Sequence, residues 1–77
     1  MLAQALERLR AARRFVQQGE KDIYAQRNLL RRLRRRGLDV TDEVRILAQL
    51  EEMQTQYLDH YDRVGGQVLG MVHPDID

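Results

Sequence analysis

The 77-residue chain contains no cysteine, no serine and only one proline. Without cysteine it can form no disulfide, no thiolate metal site and no cysteine nucleophile, which also fits a reducing compartment. With two threonines and no serine, it has no nucleophile constellation. It also lacks a glycine-rich phosphate loop and paired carboxylates on an apolar background. We therefore predict that the protein is not an enzyme and binds no cofactor or metal.

Long apolar runs are also missing from the sequence. No stretch of 18 or more apolar residues occurs, so we expect no transmembrane helix. The N-terminal residues MLAQALERLR lack the apolar block of a signal peptide. The length fits one small domain. We therefore expect a single cytoplasmic domain of bacterial type, without a membrane partner.

Charge is unevenly distributed along the chain, although the net charge is only +1. Residues 1–36 carry eleven basic and three acidic side chains, a net charge of +8. Residues 37–77 carry two basic and nine acidic side chains, a net charge of −7. Two such halves attract each other, or each attracts a partner of opposite charge.

A seven-residue repeat predicts one long helix over residues 2–36. Its first positions are Leu2, Leu9, Val16, Ile23 and Leu30. Its second positions are Ala5, Ala12, Gly19, Gln26 and Leu33. Small residues at the second positions let a facing helix approach closely. For Gly19, close packing is one interpretation and a local kink is the alternative.

Gly37 predicts the end of this helix, because glycine readily adopts the left-handed conformation that closes a helix. Leu33 and Leu38 are then the pair that meets in a Schellman motif. Asp39 or Thr41 can cap the next helix. The turn over residues 37–40 is short enough to force an antiparallel helical hairpin.

Apolar residues at helical spacing predict a second helix over residues 41–64. They are Ile46, Leu47, Leu50, Met53, Tyr57, Tyr61 and Val64. Gly65 and Gly66 favour a stop there, followed by a frayed or weakly helical tail over residues 65–77. The alternative is a helix that continues to Val72, which would match the two arms in length. Pro74 ends any helix by residue 73.

Two helices bury only one seam, which hardly offsets the entropy of ordering so short a chain. A second layer is needed, and a second copy is its simplest source, giving a homodimeric four-helix bundle. A partner protein could fill the same role. We predict that the packing or dimer seam consists of Leu2, Leu9, Val16, Gly19, Ile23, Leu30, Leu33, Leu47, Leu50, Met53, Tyr57 and Tyr61.

Basic side chains form a stripe on the first helix, away from the apolar seam. Its candidate contacts to a partner or to phosphate are Arg10, Arg14, Lys21, Arg31, Arg32 and Arg35. Such a stripe could follow a nucleic-acid backbone, although no aromatic residues interleave with it for base stacking. A solvated face with ion pairs inside the hairpin, or an anionic protein partner, are the alternatives.

Three short motifs resemble a group of short uncharacterised bacterial proteins. The first has the form G-E-x-x-I-x-x-Q-R and comprises Gly19, Glu20, Ile23, Gln26 and Arg27. A Gly-x-Asp turn follows at Gly37 and Asp39. The third has the form L-x-x-L-E-x-x-Q and comprises Leu47, Leu50, Glu51 and Gln54. The resemblance implies a helical hairpin and no particular activity.

The sequence therefore predicts an all-α helical hairpin that dimerises into a four-helix bundle. As its function we favour a non-enzymatic interaction or regulatory adaptor, whose helical surface binds a second copy or another protein. The alternative is a nucleic-acid-binding hairpin dimer that uses the arginine stripe.

Overall fold

A computed structural model describes residues 1–72 as two antiparallel helices, α1 over Leu2–Arg35 and α2 over Thr41–Val72. Neither helix has an apolar stretch that could cross a membrane. No strand occurs among the described residues, which confirms the predicted all-α hairpin. The hairpin is a flat rod of 59 × 20 × 14 Å. The last part of the predicted tail, residues 73–77, lies outside the described residues.

The end of α1 has the hydrogen bonds of a Schellman motif. The backbone N–H of Leu38 donates to the carbonyl of Leu33 (3.1 Å), and that of Gly37 donates to Arg34 (3.0 Å). Gly37 has a φ of 71°, in the left-handed region that favours glycine. These bonds use carbonyl groups that a helix end otherwise leaves free. Gly37 therefore closes α1 as its position in the sequence predicts.

Asp39 holds the start of α2. Its Oδ1 atom accepts hydrogen bonds from the hydroxyl (2.7 Å) and the backbone N–H (3.0 Å) of Thr41. Both bonds lower the pKa of the Asp39 carboxyl below its ordinary value of 3.8, and the bond from the hydroxyl has the larger effect. Asp42 and Glu43 add negative charge to the first turn, where the helix dipole favours it.

The predicted end of α2 near Val64 is wrong, because the helix continues through Gly65 and Gly66 to Val72. Two glycines cost about 2 kcal/mol relative to alanines in a helix interior. Val64 and Val68, however, are both buried against α1, and burying a valine contributes about 1.5 kcal/mol or more. Tertiary packing therefore outweighs the local stop signal, and the two arms match in length.

The seam between the helices follows the seven-residue repeat on both sides. In α1 the buried residues are Ala5, Ala12, Val16, Gly19 and Leu30. The residues of α2 that face α1 are buried or half-buried, and the spacing between them alternates between four and three residues. They are Glu43, Leu47, Leu50, Gln54, Tyr57, Tyr61, Val64 and Val68. Leu9, Ile23 and Leu33 are half-buried along the same line.

Two residues predicted for the packing or dimer seam lie outside the seam of the hairpin itself. Leu2 is exposed at its open end, and Met53 is 44% exposed on the flank of α2. Gln54 takes the central position beside Met53 and is 8% exposed. A contact of Met53 with a second copy remains a prediction.

Candidate interaction surfaces

Gln54 crosses the centre of the seam and bonds to the backbone of the other helix. Its Nε2 atom donates to the carbonyl of Val16 at 2.9 Å. A helical carbonyl has a second lone pair that can accept such a bond. The Oε1 atom of Gln54 is buried and has no hydrogen-bond partner within residues 1–72. A buried amide with one unused acceptor is costly, so this contact is sensitive to any change around it.

Gly19 makes room for the Gln54 side chain. A Cβ atom added at Gly19 would overlap Oε1 of Gln54 and would lie 2.7 Å from its Cδ. Only the Cα hydrogen of glycine fits between the helix backbone and the amide. The close-packing interpretation of Gly19 is therefore confirmed, and α1 continues through this residue as an unbroken helix.

Two further polar contacts join the helices nearer the turn. Gln26 Nε2 donates to the carbonyl of Glu43 at 3.0 Å. Arg27 Nη2 forms a 2.9 Å ion pair with Glu51. Each contact ties a residue of α1 to one height on α2, so together with the contact at Gln54 they fix the register of the hairpin.

The contacts join several of the residues that carry the sequence resemblance. Gly19 meets Gln54, Arg27 meets Glu51, and Gln26 bonds to the start of α2. These residue types, at these spacings, form the contacts that align the two helices in this register. The motifs therefore have a structural explanation in this chain, and they contribute no candidate catalytic group.

One side of the seam, which we name the Phe15 face, carries few charges. Arg8 Nη2 contacts Gln67 Oε1 at 3.5 Å, which places both residues on this side. Residues seven apart lie on the same side of a packed helix. The Phe15 face therefore comprises Arg8, Phe15, Asp22 and Leu29 of α1 with Ile46, Met53, His60 and Gln67 of α2.

The opposite side, the Arg27 face, is more highly charged. The Arg27–Glu51 ion pair places both residues there. The same repeat adds Leu6, Arg13, Glu20 and Arg34 of α1 with Val44, Leu58, Gly65 and Val72 of α2. Five of these ten residues are charged, against two of the eight on the Phe15 face, not counting the histidine.

Large apolar side chains remain exposed on the Phe15 face. The ring of Phe15 stacks on Tyr57 with centroids 5.4 Å apart and an interplanar angle of 29°. More than half of Phe15 is nevertheless exposed, and Ile46 and Met53 are each 44% exposed. Exposed aromatic and methionine side chains with few charges nearby are typical of the buried centre of a protein interface.

The predicted arginine stripe is only partly brought together. Arg31 and Arg35 lie with Arg27 and Arg34 around a groove whose floor is formed by Leu30 and Leu47. Arg10 pairs with Glu7 at 3.4 Å, Arg14 lies beside Phe15, and Lys21 and Arg32 are exposed. Arg27 and Arg34 are not among the residues predicted for the stripe, although both lie at the seven-residue interval that flanks the seam.

Several arginines around the groove have no acidic partner in the part of the chain that the structure describes. Within residues 1–72 the ion pairs are Arg10–Glu7, Arg27–Glu51 and Arg45–Asp42. Arg31, Arg34 and Arg35 are therefore unpaired in the described part of the chain. For the predicted alternative of a solvated face with ion pairs inside the hairpin, an ion pair is present at Arg10 and, within residues 1–72, none is present at Arg31, Arg34 or Arg35.

The hairpin exposes far more surface than a compact monomer of its mass. Its accessible surface is 6180 Å², whereas a compact monomer of 9.1 kDa exposes about 4,900 Å². Its radius of gyration is 17.6 Å, against about 11–12 Å for a compact domain of this length. No large side chain within residues 1–72 is fully buried. The hairpin alone thus leaves most of its apolar side chains in partial contact with water.

No protein-family model, curated protein or solved structure matches the chain. No group of three or more His, Asp or Glu side chains that could hold a metal ion occurs within residues 1–72. The geometry of the hairpin presents three candidate sites, namely its two faces and the arginine groove.

Proposed function

We propose that the protein is a small, non-enzymatic interaction or regulatory adaptor that works through its helical surface. The carrying observation is the exposure of Phe15, Ile46 and Met53 on a face with few charges. Such a face loses apolar contact with water when a second helical layer covers it. The second layer is either a second copy of the chain or another protein. Either partner is compatible with the expected cytoplasmic location.

The size of the exposed surface supports this proposal. The excess over a compact monomer is about 1,300 Å², more than the roughly 800 Å² that each partner buries in a standard interface. A partner that covers such an area would form the second layer that a two-helix domain lacks. If the partner is a second hairpin, the two together form a four-helix bundle.

Sedimentation velocity of the purified chain, with circular dichroism on the same samples, tests the proposal. We expect either a helical oligomer or a weakly helical monomer that becomes helical when its partner is added. A monomer that unfolds cooperatively at micromolar concentration, with no co-purifying partner, would contradict the proposal. Such a monomer would show that the two-helix seam is sufficient.

A second candidate function is nucleic-acid binding by the arginine groove. The observation in its favour is the cluster of arginines at 31, 34 and 35, which have no ion-pair partner within residues 1–72. Arginine is well suited to phosphate because its guanidinium donates two parallel hydrogen bonds. Among residues 1–72 no aromatic side chain lines this groove, so the contacts would go to the backbone and not to stacked bases.

Titration of fluorescent duplex DNA and stem-loop RNA, at about 50 and 200 mM salt, tests this second candidate. If it holds, replacing Arg31 and Arg35 with glutamine weakens binding and reduces the salt slope. Replacing Arg45 and Arg63 of α2 with glutamine removes the same charge elsewhere and is the matched control. Equal losses in both variants would mean non-specific attraction, and no binding at the lower salt would remove the candidate.

A further inference from the structure

The Phe15 face can be covered by a second copy in two symmetric ways. In both, two flat hairpins stack face to face and form a four-helix bundle. If the two turns lie at the same end, α1 of each copy packs beside α2 of the other. If the turns lie at opposite ends, α1 packs beside α1 and α2 beside α2. The two arrangements cover the same apolar residues and differ in which charges come together.

The helix charges distinguish the two arrangements. α1 carries ten basic and three acidic side chains, a net charge of +7, and α2 carries two basic and six acidic side chains, a net charge of −4. Packed helices lie about 8–10 Å apart, which is close to the screening length at physiological salt. Stacking α1 on α1 therefore brings like charges together, whereas stacking α1 on α2 pairs opposite ones.

We infer that the Phe15 face binds a second copy of this chain, with both turns at the same end and α1 of each copy beside α2 of the other. This inference rests on the proposed function and names its partner and geometry. The Phe15 face is the occupied one because it has fewer charges to desolvate than the Arg27 face. The arginine groove stays open on the outside of the bundle.

Residue heights along the rod agree with this arrangement. The contacts Gly19–Gln54 and Arg8–Gln67 show which residues of the two helices lie at one height. Because the two helices are antiparallel, counting forward along α1 and backward along α2 from these contacts places Leu29 level with Ile46. The same counting places Arg32 level with Asp42. With both turns at one end these heights are kept between copies. Leu29 then contacts Ile46 of the second copy, and Arg32 lies opposite the negatively charged Asp42 of the second copy.

The absence of native cysteine makes a direct distance measurement straightforward. Single variants Leu38→Cys, in the turn, and Ala3→Cys, at the open end, place a spin label at exposed positions. With turns together, both label pairs lie within about 30 Å, because four packed helices span little more than two interhelical distances. With turns apart, both pairs approach the 59 Å length of the rod, which would overturn the inference.

A matched pair of substitutions tests which face is covered. Met53→Glu lies on the Phe15 face and Leu58→Glu on the Arg27 face, and the two native residues are 44% and 43% exposed. We expect Met53→Glu to raise the dimer dissociation constant at least about tenfold, because a buried unpaired carboxylate opposes association. Leu58→Glu should change it by less than about threefold. The reverse pattern would overturn the inference.

Failure of this inference differs from failure of the proposed function. A chain that stays monomeric at every concentration overturns the second copy as partner. If that monomer is weakly helical, the proposed adaptor function stands, because the hairpin still needs another protein. If the monomer is cooperatively folded, both the inference and the proposed function fall.

Discussion

At the scale of single residues, the hairpin depends on one close contact between a glycine and a glutamine. Gln54 spans the seam to the Val16 carbonyl, and Gly19 leaves space for its amide. A buried polar side chain in a mostly apolar seam can specify register at some cost in stability. Gln54 has this geometry, because it bonds to Val16 and fits against Gly19 in the observed alignment of the helices.

Gly19→Ala should destabilise the hairpin by about 1–2 kcal/mol, because its Cβ overlaps the Gln54 amide and breaks the bond to Val16. This value is the net effect, after the gain of about 1 kcal/mol that alanine brings to a helix interior. Urea unfolding of the two proteins measures the difference.

The control for this prediction is the same change in a Gln54→Ala background. Without the amide in the way, Gly19→Ala should stabilise by about 1 kcal/mol, so the sign reverses. A substitution that destabilises equally in both backgrounds would show that the contact with Gln54 is not the cause.

Asp39 should make the stability of the turn depend on pH. Its folded-state pKa lies below 3.8 because of the two hydrogen bonds from Thr41. A carboxyl with a lowered pKa contributes stability above its unfolded pKa and loses that contribution as the pH falls through the folded value. Unfolding midpoints of the native chain and of Asp39→Asn should therefore differ near neutral pH and converge in acid.

The asparagine variant is the control here because it keeps a hydrogen-bond acceptor and removes the titration. Carbon-detected NMR of the Asp39 carboxyl reports its pKa directly. A titration at or above 3.8 would contradict the account of the turn.

At the scale of elements, α2 shows where local signals give way to packing. Gly65 and Gly66 lie inside the helix, and a Cβ at Gly66 would meet nothing within 4 Å. Val64 and Val68 on either side are buried. The glycines are therefore tolerated because their neighbours pack on α1, and they weaken this part of the helix.

Gly66→Ala should stabilise the hairpin by about 0.5–1 kcal/mol, because alanine has less backbone freedom to lose and has open space for its Cβ. Thermal unfolding checks the size of the effect. Gly37→Ala is the matched control and should destabilise, since Gly37 has a positive φ. A Gly66→Ala variant that unfolds more readily than the native chain would mean that this part of α2 is not helical in solution.

The helices differ in how well their sequence predicts them. The unbroken repeat from Leu2 to Leu30 and the glycine at 37 were sufficient for α1 and its end. The end of α2 was not predictable from local signals, because it depends on contacts with α1. The apolar pattern does not predict a seam position for Gln54, because a polar side chain is unusual in such a seam. Its spacing of seven from Leu47 and Tyr61 was the available signal.

The arginine groove is a candidate site that the sequence of one helix does not predict. Helical projection places the stripe on the outer surface of α1, but only packing against α2 shows that Leu47 forms part of a groove floor. The pairing of Arg27 with Glu51, and the lack of a partner for Arg34 within residues 1–72, depend on the register of the hairpin. A single helix cannot contain that information.

At the scale of the whole molecule, the rod is too thin to bury its apolar side chains. Its shortest dimension is 14 Å, little more than the diameter of one helix with its side chains. Phe15, Ile46 and Met53 remain exposed as a consequence. A second layer would cover them, and folding would then be coupled to association.

The most direct measurement of this claim is the thermal unfolding midpoint of the chain over about 1 to 100 μM. If folding and association are coupled, the midpoint rises with concentration by mass action, and the midpoint of Met53→Glu falls below that of Leu58→Glu at each concentration. A cooperative transition whose midpoint does not change over this range would show a hairpin that is stable alone and would contradict the account.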